Sequence, residues 1–207
     1  MLLGVGETRD QPREPRRARA RPLTPEERRE ALISATLPLL YVHGRTITTR
    51  VIAEAAGVAE GTIFRVFDSK EELIDAAMAR AFAPDEVLAR VAEIDPDEPL
   101  REKLLKISSV LQQRVKASFG LMRAMGQMGP PKHAHTEERR AEMRQIRAAM
   151  TTLIEPNADE LSVEPQMLIH MLRLLTFAGS NEQISDGHLL TPEQIVDTLL
   201  HGTLRKD

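Results

Sequence analysis

The stretch Thr49–Leu73, TRVIAEAAGVAEGTIFRVFDSKEEL, decides the fold. Thr48 or Thr49 can cap a short helix from Thr49 to Ala56, in which small Ala53 and Ala56 let a neighbouring helix approach closely. Gly57 supplies the left-handed residue that ends this helix, and Val58 tucks under the next one. A second helix is expected from Ala59 to Phe67, with Ile63 and Phe67 four residues apart on its core side. Asp68 or Ser69 then caps a third helix, which carries Lys70 in its first turn and continues through Leu73, Ile74, Ala77 and Met78 to Phe82. Two short helices across a tight turn, followed at once by a third, is the layout of a helix-turn-helix. Such a unit sets one helix in the major groove of DNA and its neighbours against the phosphates.

Upstream, Thr24, Pro25 and Glu27 form a capping-box pattern that starts a helix running to about Tyr41. Pro38 conflicts with its interior, because an internal proline removes a backbone hydrogen bond, so a bend or loosened turn is expected there. Gly44 lies just past the end. Residues 1–22 are rich in Arg and Pro and lack periodicity. They read as a disordered basic arm, either a solvated leader or a segment that reaches the minor groove beside the main contact.

Downstream of Pro84 the pattern stays helical over about 85–94, 99–128, 137–154, 164–179 and 192–204. Proline, glycine and polar breaks separate these segments. No run alternates with a period of two, so no sheet is predicted. The fold class is all-α: a three-helix helix-turn-helix domain over 23–83, then a helical ligand-binding and dimerisation domain over 84–207.

The net charge of −3 is unevenly spread: residues 1–21 carry +3, 22–83 carry −2 and 84–207 carry −4. Bulk attraction to DNA is therefore small, and phosphate contacts must come from local placement, helix N-termini and the arm. There is no cysteine, which excludes disulfides and thiolate metal sites. No apolar run approaches the ~20 residues that span a bilayer, and the chain reads as cytoplasmic. A 3% aromatic content argues against base-stacking platforms for single strands.

Residues 24–82 resemble the N-terminal domain of the TetR family of bacterial transcriptional regulators. Thr48-Thr49, Ile52-Ala53, Ala56-Gly57-Val58, Gly61-Thr62, Phe64, Phe67, Lys70 and Leu73 carry the resemblance by type and spacing. It implies that Thr49 gives a hydroxyl and a backbone N–H to a phosphate, with Thr48 beside it at the same helix start. Gly61 would let the backbone approach DNA, and Lys70 would hold a phosphate. Thr62 and Arg65 project from the recognition helix as candidates for base or phosphate contact, since Arg can bind guanine bidentately. Ala59 and Glu60 lie at the entry to that helix, where Glu60 either accepts from a cytosine amine or repels phosphate. The chain departs from the family at Phe64, where tyrosine is common, and at Val66, where histidine is common. Phe64 can still pack on a sugar or a thymine methyl.

The resemblance further implies a homodimer on a palindromic operator. In the family the last two helices pair with their symmetry mates, which points to Met167, Met171, Leu174, Leu175, Ile195 and Leu199 as the dimer interface; the bland alternative is that both helices are plain core. By the same analogy a small-molecule effector sits among the middle helices. Phe119, Met122, Met125, Met143, Ile146 and Met150 are candidate apolar lining. Arg123, Gln127 or Gln145 are candidate polar anchors, and no effector is identified.

The function expected is a sequence-specific DNA-binding regulator, a repressor released by an effector. The alternative is a helical ligand-binding or adaptor dimer with a degenerate reader. No cofactor is expected. His133 and His135 flank an alanine after Pro130-Pro131 but lack further ligands at supporting spacing, so they read as loop and not as a metal site. No nucleotide loop, zinc-protease or nucleophile-elbow motif occurs, and no clustered acid–base set supports an enzyme.

Overall fold

The computed structural model describes residues 23–126 and 136–203. The arm over 1–22 and the residues Gln127, Met128, His133 and His135 lie outside the described residues. The described chain is all-α, and no sheet forms among its residues.

Helix α1 spans Pro25–His43. Its start is the predicted capping box: the Glu27 amide donates to Thr24 Oγ1 at 3.1 Å, and the Thr24 amide donates to Glu27 Oε2 at 2.8 Å. The helix runs through Pro38 and ends two residues later than expected. Pro38 is exposed, as is Ser34 one turn earlier, so the carbonyl that loses its partner is on the solvent side. Gly44 ends α1 at φ 54°, followed by a single 3₁₀ turn over Gly44–Thr46.

Helix α2, Thr49–Ala56, is capped by Thr48, whose Oγ1 accepts from the Val51 amide at 3.3 Å. Gly57 closes it at φ 66°, and the Val58 amide reaches back to the Ala53 carbonyl at 3.0 Å. That is the expected left-handed C-cap. The next segment differs from expectation. Instead of an α-helix over Ala59–Phe67, the chain forms a 3₁₀ helix over Glu60–Arg65. Ala59 offers no side-chain cap, and Gly61 in the first turn disfavours α propagation. Ile63 at 0% and Phe67 at 2% exposure nevertheless face the core as predicted. Helix α3, Lys70–Ala81, is capped by Ser69, which accepts from the Glu72 amide at 3.1 Å, while Glu72 accepts from the Asp68 amide at 2.7 Å.

Five further helices follow: α4 Asp85–Ala92, α5 Leu100–Ala124, α6 Glu137–Ile154, α7 Pro165–Gly179 and α8 Pro192–Thr203. Helix α5 stops short of the predicted residue 128 and turns through Met125 and Gly126, the latter at φ 65°. A 3₁₀ segment, Glu155–Glu160, links α6 to α7.

Two apolar cores result. The first gathers Leu32, Leu40, Ile52, Ile63, Phe67, Leu73 and Ala77. The second gathers Leu104, Ile107, Met150, Leu168, Leu172, Ile195 and Val196. Lys103 is buried at the edge of the second, where its ammonium donates to the carbonyls of Pro96 at 2.9 Å and Leu153 at 3.3 Å. Leu153 lies in the last turn of α6, so this cation complements the helix C-terminus.

Helix α5 joins the two halves. Its Leu121 and Met125 belong to the first core. A Cβ on Gly44 would lie 2.1 Å from the Ala124 carbonyl oxygen, so only glycine permits this backbone approach. The Tyr41 hydroxyl donates to the Ala117 carbonyl at 3.3 Å. Arg114 donates to the Phe82 and Ala83 carbonyls at 2.7 and 2.9 Å, and Arg139 of α6 donates to the same Phe82 carbonyl. The Arg139 guanidinium also lies 5.2 Å from the Phe82 ring centroid and pairs with Glu142 at 2.8 Å. Burial, with the Arg139 charge beside it, pushes the Arg114 guanidinium below its ordinary range. Two arginines thus grip the C-terminal end of α3, where backbone carbonyls carry partial negative charge.

Candidate nucleic-acid interface

The surface around the start of α2 and the 3₁₀ segment collects the residues singled out from sequence. Thr48, Ala59, Glu60, Gly61, Phe64 and Arg65 are exposed, and Thr49, Thr62 and Lys70 are half-buried. Ile63 and Phe67, pinned in the core beneath them, set this alternation. A 3₁₀ helix advances about 120° per residue, so burying Ile63 turns Phe64 and Arg65 outward. Phe64 is 54% exposed, an unusual position for a phenyl ring on a polar face. Arg29 lies over the Phe67 ring at 4.9 Å and props the underside of the segment.

One contact links the two halves of the motif. The Thr49 hydroxyl donates to the Glu60 carboxylate, tying the N-terminus of α2 to the entry of the 3₁₀ segment. The resemblance implies a phosphate for Thr49 and a base or a repelled phosphate for Glu60; the fold pairs the two side chains with each other. Lys70 sits in the first turn of α3 with its ammonium 3.8 Å from Glu71, a loose contact that leaves it able to reach another anion. Arg45 and Arg50 are also exposed, flanking Thr46, Thr48 and Thr49. They were passed over because an isolated arginine reads as ordinary surface. Their position on either side of a helix N-terminus was the available signal.

The residues expected to line a pocket fall into different environments. Met122 packs against the first core and Met125 is buried within it. Ile146 and Met150 are fully packed in the second core, with Met143 against its edge. Arg123 and Gln145 are exposed. Phe119 is half-buried, its ring centroid 5.4 Å from that of Phe177 at an interplanar angle of 50°. Met122 and Met125 sit with the first core because the C-terminal turns of α5 have crossed onto it.

On α7, Met167, Leu174 and Phe177 are 51%, 57% and 47% exposed. Met171 and Leu175 are half-buried beside them, as is Leu199 on α8. Ile195, expected on the same face, is instead wholly buried in the chain's own core. It lies on the inward side of α8 with Val196, one turn from Leu199.

Comparison with known proteins agrees with this geometry. Residues 32–77 match the model of the bacterial regulatory proteins of the tetR family. The chain is 30% identical over 183 residues to the HTH-type transcriptional repressor KstR of Rhodococcus jostii (strain RHA1), covering 83% of this chain and 84% of that protein. A tetR-family transcriptional regulator from Streptomyces coelicolor superposes with a TM-score of 0.58 at 23% identity, over 86% of this chain and 78% of that one. A transcriptional regulator from Rhodococcus sp. Rha1 gives 0.57 at 21% identity, over 84% and 97%. Proteins of this kind regulate transcription and are not enzymes. The helix-turn-helix, the helical second half and the length shared with a curated repressor converge: this chain is a transcriptional regulator of the TetR family.

Proposed function

We propose that residues 23–83 form the DNA-binding domain and 84–207 the effector-binding and dimerisation domain of a repressor that a small molecule releases from a palindromic operator. The observation that carries the DNA half is the exposed row Gly61, Phe64 and Arg65, held over buried Ile63 and Phe67 and flanked by Lys70. Arg65 reads a base edge or a phosphate, Thr62 and Phe64 pack beside it, and Gly61 admits the backbone. Thr48, the backbone N–H of Thr49, Arg45, Arg50 and Lys70 fix the register on phosphates. Repression is the sign borne by the name of the Rhodococcus jostii relative.

Exposed Met167 and Leu174 on α7, with half-buried Met171 between them, support dimerisation through this helix, with Leu175 and Leu199 at the margin. A dimer places two readers on one two-fold axis, which matches the symmetry of a palindrome. Release requires an effector that binds the DNA-incompetent arrangement more tightly than the competent one. The route available runs through α5, which touches the reader at Gly44 and Tyr41 and, through Arg114, the end of α3.

Selection of bound duplexes from a random pool by the purified full chain tests the reading. Recovery of a palindromic consensus, bound with a salt-dependent affinity that Lys70→Ala weakens, supports it. Recovery of no consensus, with no salt dependence, overturns it in favour of an adaptor dimer with a degenerate reader.

A further inference from the structure

Arg147 of α6 and Arg173 of α7 are both half-buried on helices that pack directly against one another. Most other half-buried arginines of the second half have partners: Arg114 holds two carbonyls, and Arg139 holds a carbonyl and Glu142. Neither the Arg147 nor the Arg173 guanidinium makes a hydrogen bond or ion pair among the described residues. Sequence explains why. Helix α7, PQMLIHMLRLLTFAG, contains no acid. The acids of α6 are Glu137, Glu138 and Glu142, all in its first two turns; Glu137 pairs with Arg140 and Arg144, and Glu142 with Arg139.

Burial pushes the Arg173 guanidinium below its ordinary range, and the Arg147 charge pushes it the same way. Two like charges partly withdrawn from water without a counter-charge are costly, and a packed interface does not accumulate them for stability. Apolar surface adjoins them. Arg173 and Phe177 are one helical turn apart on the same face of α7, and the Phe177 ring leans on Phe119 of α5. Arg147 shares its face of α6 with Met143 and Met150.

We propose that Arg147 and Arg173 form an anion subsite that takes the carboxylate or phosphate head of an amphipathic effector, whose apolar body lies along Phe119 and Phe177. The assignment rests on the reading of the second half as effector-binding. Guanidinium groups on facing helices suit a planar or tetrahedral oxyanion, which accepts two hydrogen bonds from each fork. A bound anion cancels the mutual repulsion of the two guanidinium groups. Sequence reasoning missed both residues, because a single arginine in an amphipathic helix reads as a solvated face.

The test uses the full-length protein with decanoate, decyl phosphate and decanol below their micellar concentrations, by calorimetry and thermal shift. Either anion, or both, is expected to bind at least about tenfold more tightly than decanol, in line with charge-assisted hydrogen bonds. The double variant Arg147→Met, Arg173→Met should lose that preference, and the double Lys variant should keep part of it. In the absence of ligand, Arg173→Met is expected to hold or raise Tm, because it removes an unpaired charge while keeping the apolar stem. Equal binding of anion and alcohol by the wild type, or a preference that survives in the double Met variant, overturns the subsite. DNA release is read separately by anisotropy. Anion binding that leaves the DNA complex intact sinks the effector-release reading and leaves the subsite standing. Release by a neutral ligand with no anion preference does the reverse.

Discussion

The Thr49 hydroxyl donates its hydrogen bond to the Glu60 carboxylate, so the N-terminus of α2 and the entry to the 3₁₀ segment over Glu60–Arg65 are fastened by residues on either side of the Gly57 turn. The same bond keeps a negative charge at the surface proposed to meet phosphate and occupies the one proton of a hydroxyl that a phosphate would otherwise take. Glu60→Gln should therefore raise affinity for all duplexes, by roughly threefold to tenfold at low ionic strength, with the gain shrinking as salt is added. Anisotropy titrations at several salt concentrations check this. An unchanged or lower affinity would show that Glu60 contributes a base contact.

Lys70→Ala should weaken binding to operator and random duplex alike, and should flatten the slope of log affinity against log salt by about 0.9. Arg65→Ala should instead cost about 1–3 kcal/mol at one base position, relaxing the selected consensus there. Selection from a random pool with each variant separates the two roles.

Gly44 and Gly57 both sit at positive φ, 54° and 66°, but their surroundings differ. A methyl group at Gly57 meets nothing within 4 Å, so Gly57→Ala should cost only the left-handed strain, about 1 kcal/mol. At Gly44 the same group would lie 2.1 Å from the Ala124 carbonyl oxygen. Gly44→Ala should destabilise by more than about 3 kcal/mol, or shift α1 away from α5. Urea unfolding of both variants measures the difference.

Leu174 is 57% exposed on the apolar stripe of α7. Leu174→Glu should give a monomer by light scattering at micromolar concentration while leaving the helical circular dichroism unchanged, because more than half of the side chain already faces solvent. Operator affinity should fall steeply, since two half-sites are then bound independently. A dimer that persists in this variant would place the interface elsewhere.

Local rules explain what was legible beforehand. The capping box at Thr24 and Glu27, the left-handed Gly57 and the Ser69 cap depend on a few adjacent residues, and each formed as expected. The inward direction of Ile63 and Phe67 was legible for the same reason. Whether their segment winds as an α or a 3₁₀ helix was not, because both windings bury Ile63 and the balance depends on an uncapped start at Ala59 and on Gly61. Pro38 reads as a conflict in the helix because periodicity does not say that its lost hydrogen bond falls on the wet side of α1. The division of methionines along α5 and α6 was hidden for a different reason. Met122 and Met125 have the spacing of any amphipathic helix, and only the crossing of α5 over the first core decides which oil they enter. That Arg147 and Arg173 lack partners among the described residues was not legible, because missing partners are a property of tertiary neighbours.

Leu121 and Met125 bear on what can be cut apart. Both come from beyond residue 83, yet they are 1% and 3% exposed inside the first core. A fragment trimmed to the reader would leave Leu32, Leu40 and their neighbours without that wall, with a greasy hollow open to water. The two halves are not separate folding units: the last turns of α5 are plugged into the core built by the first three helices.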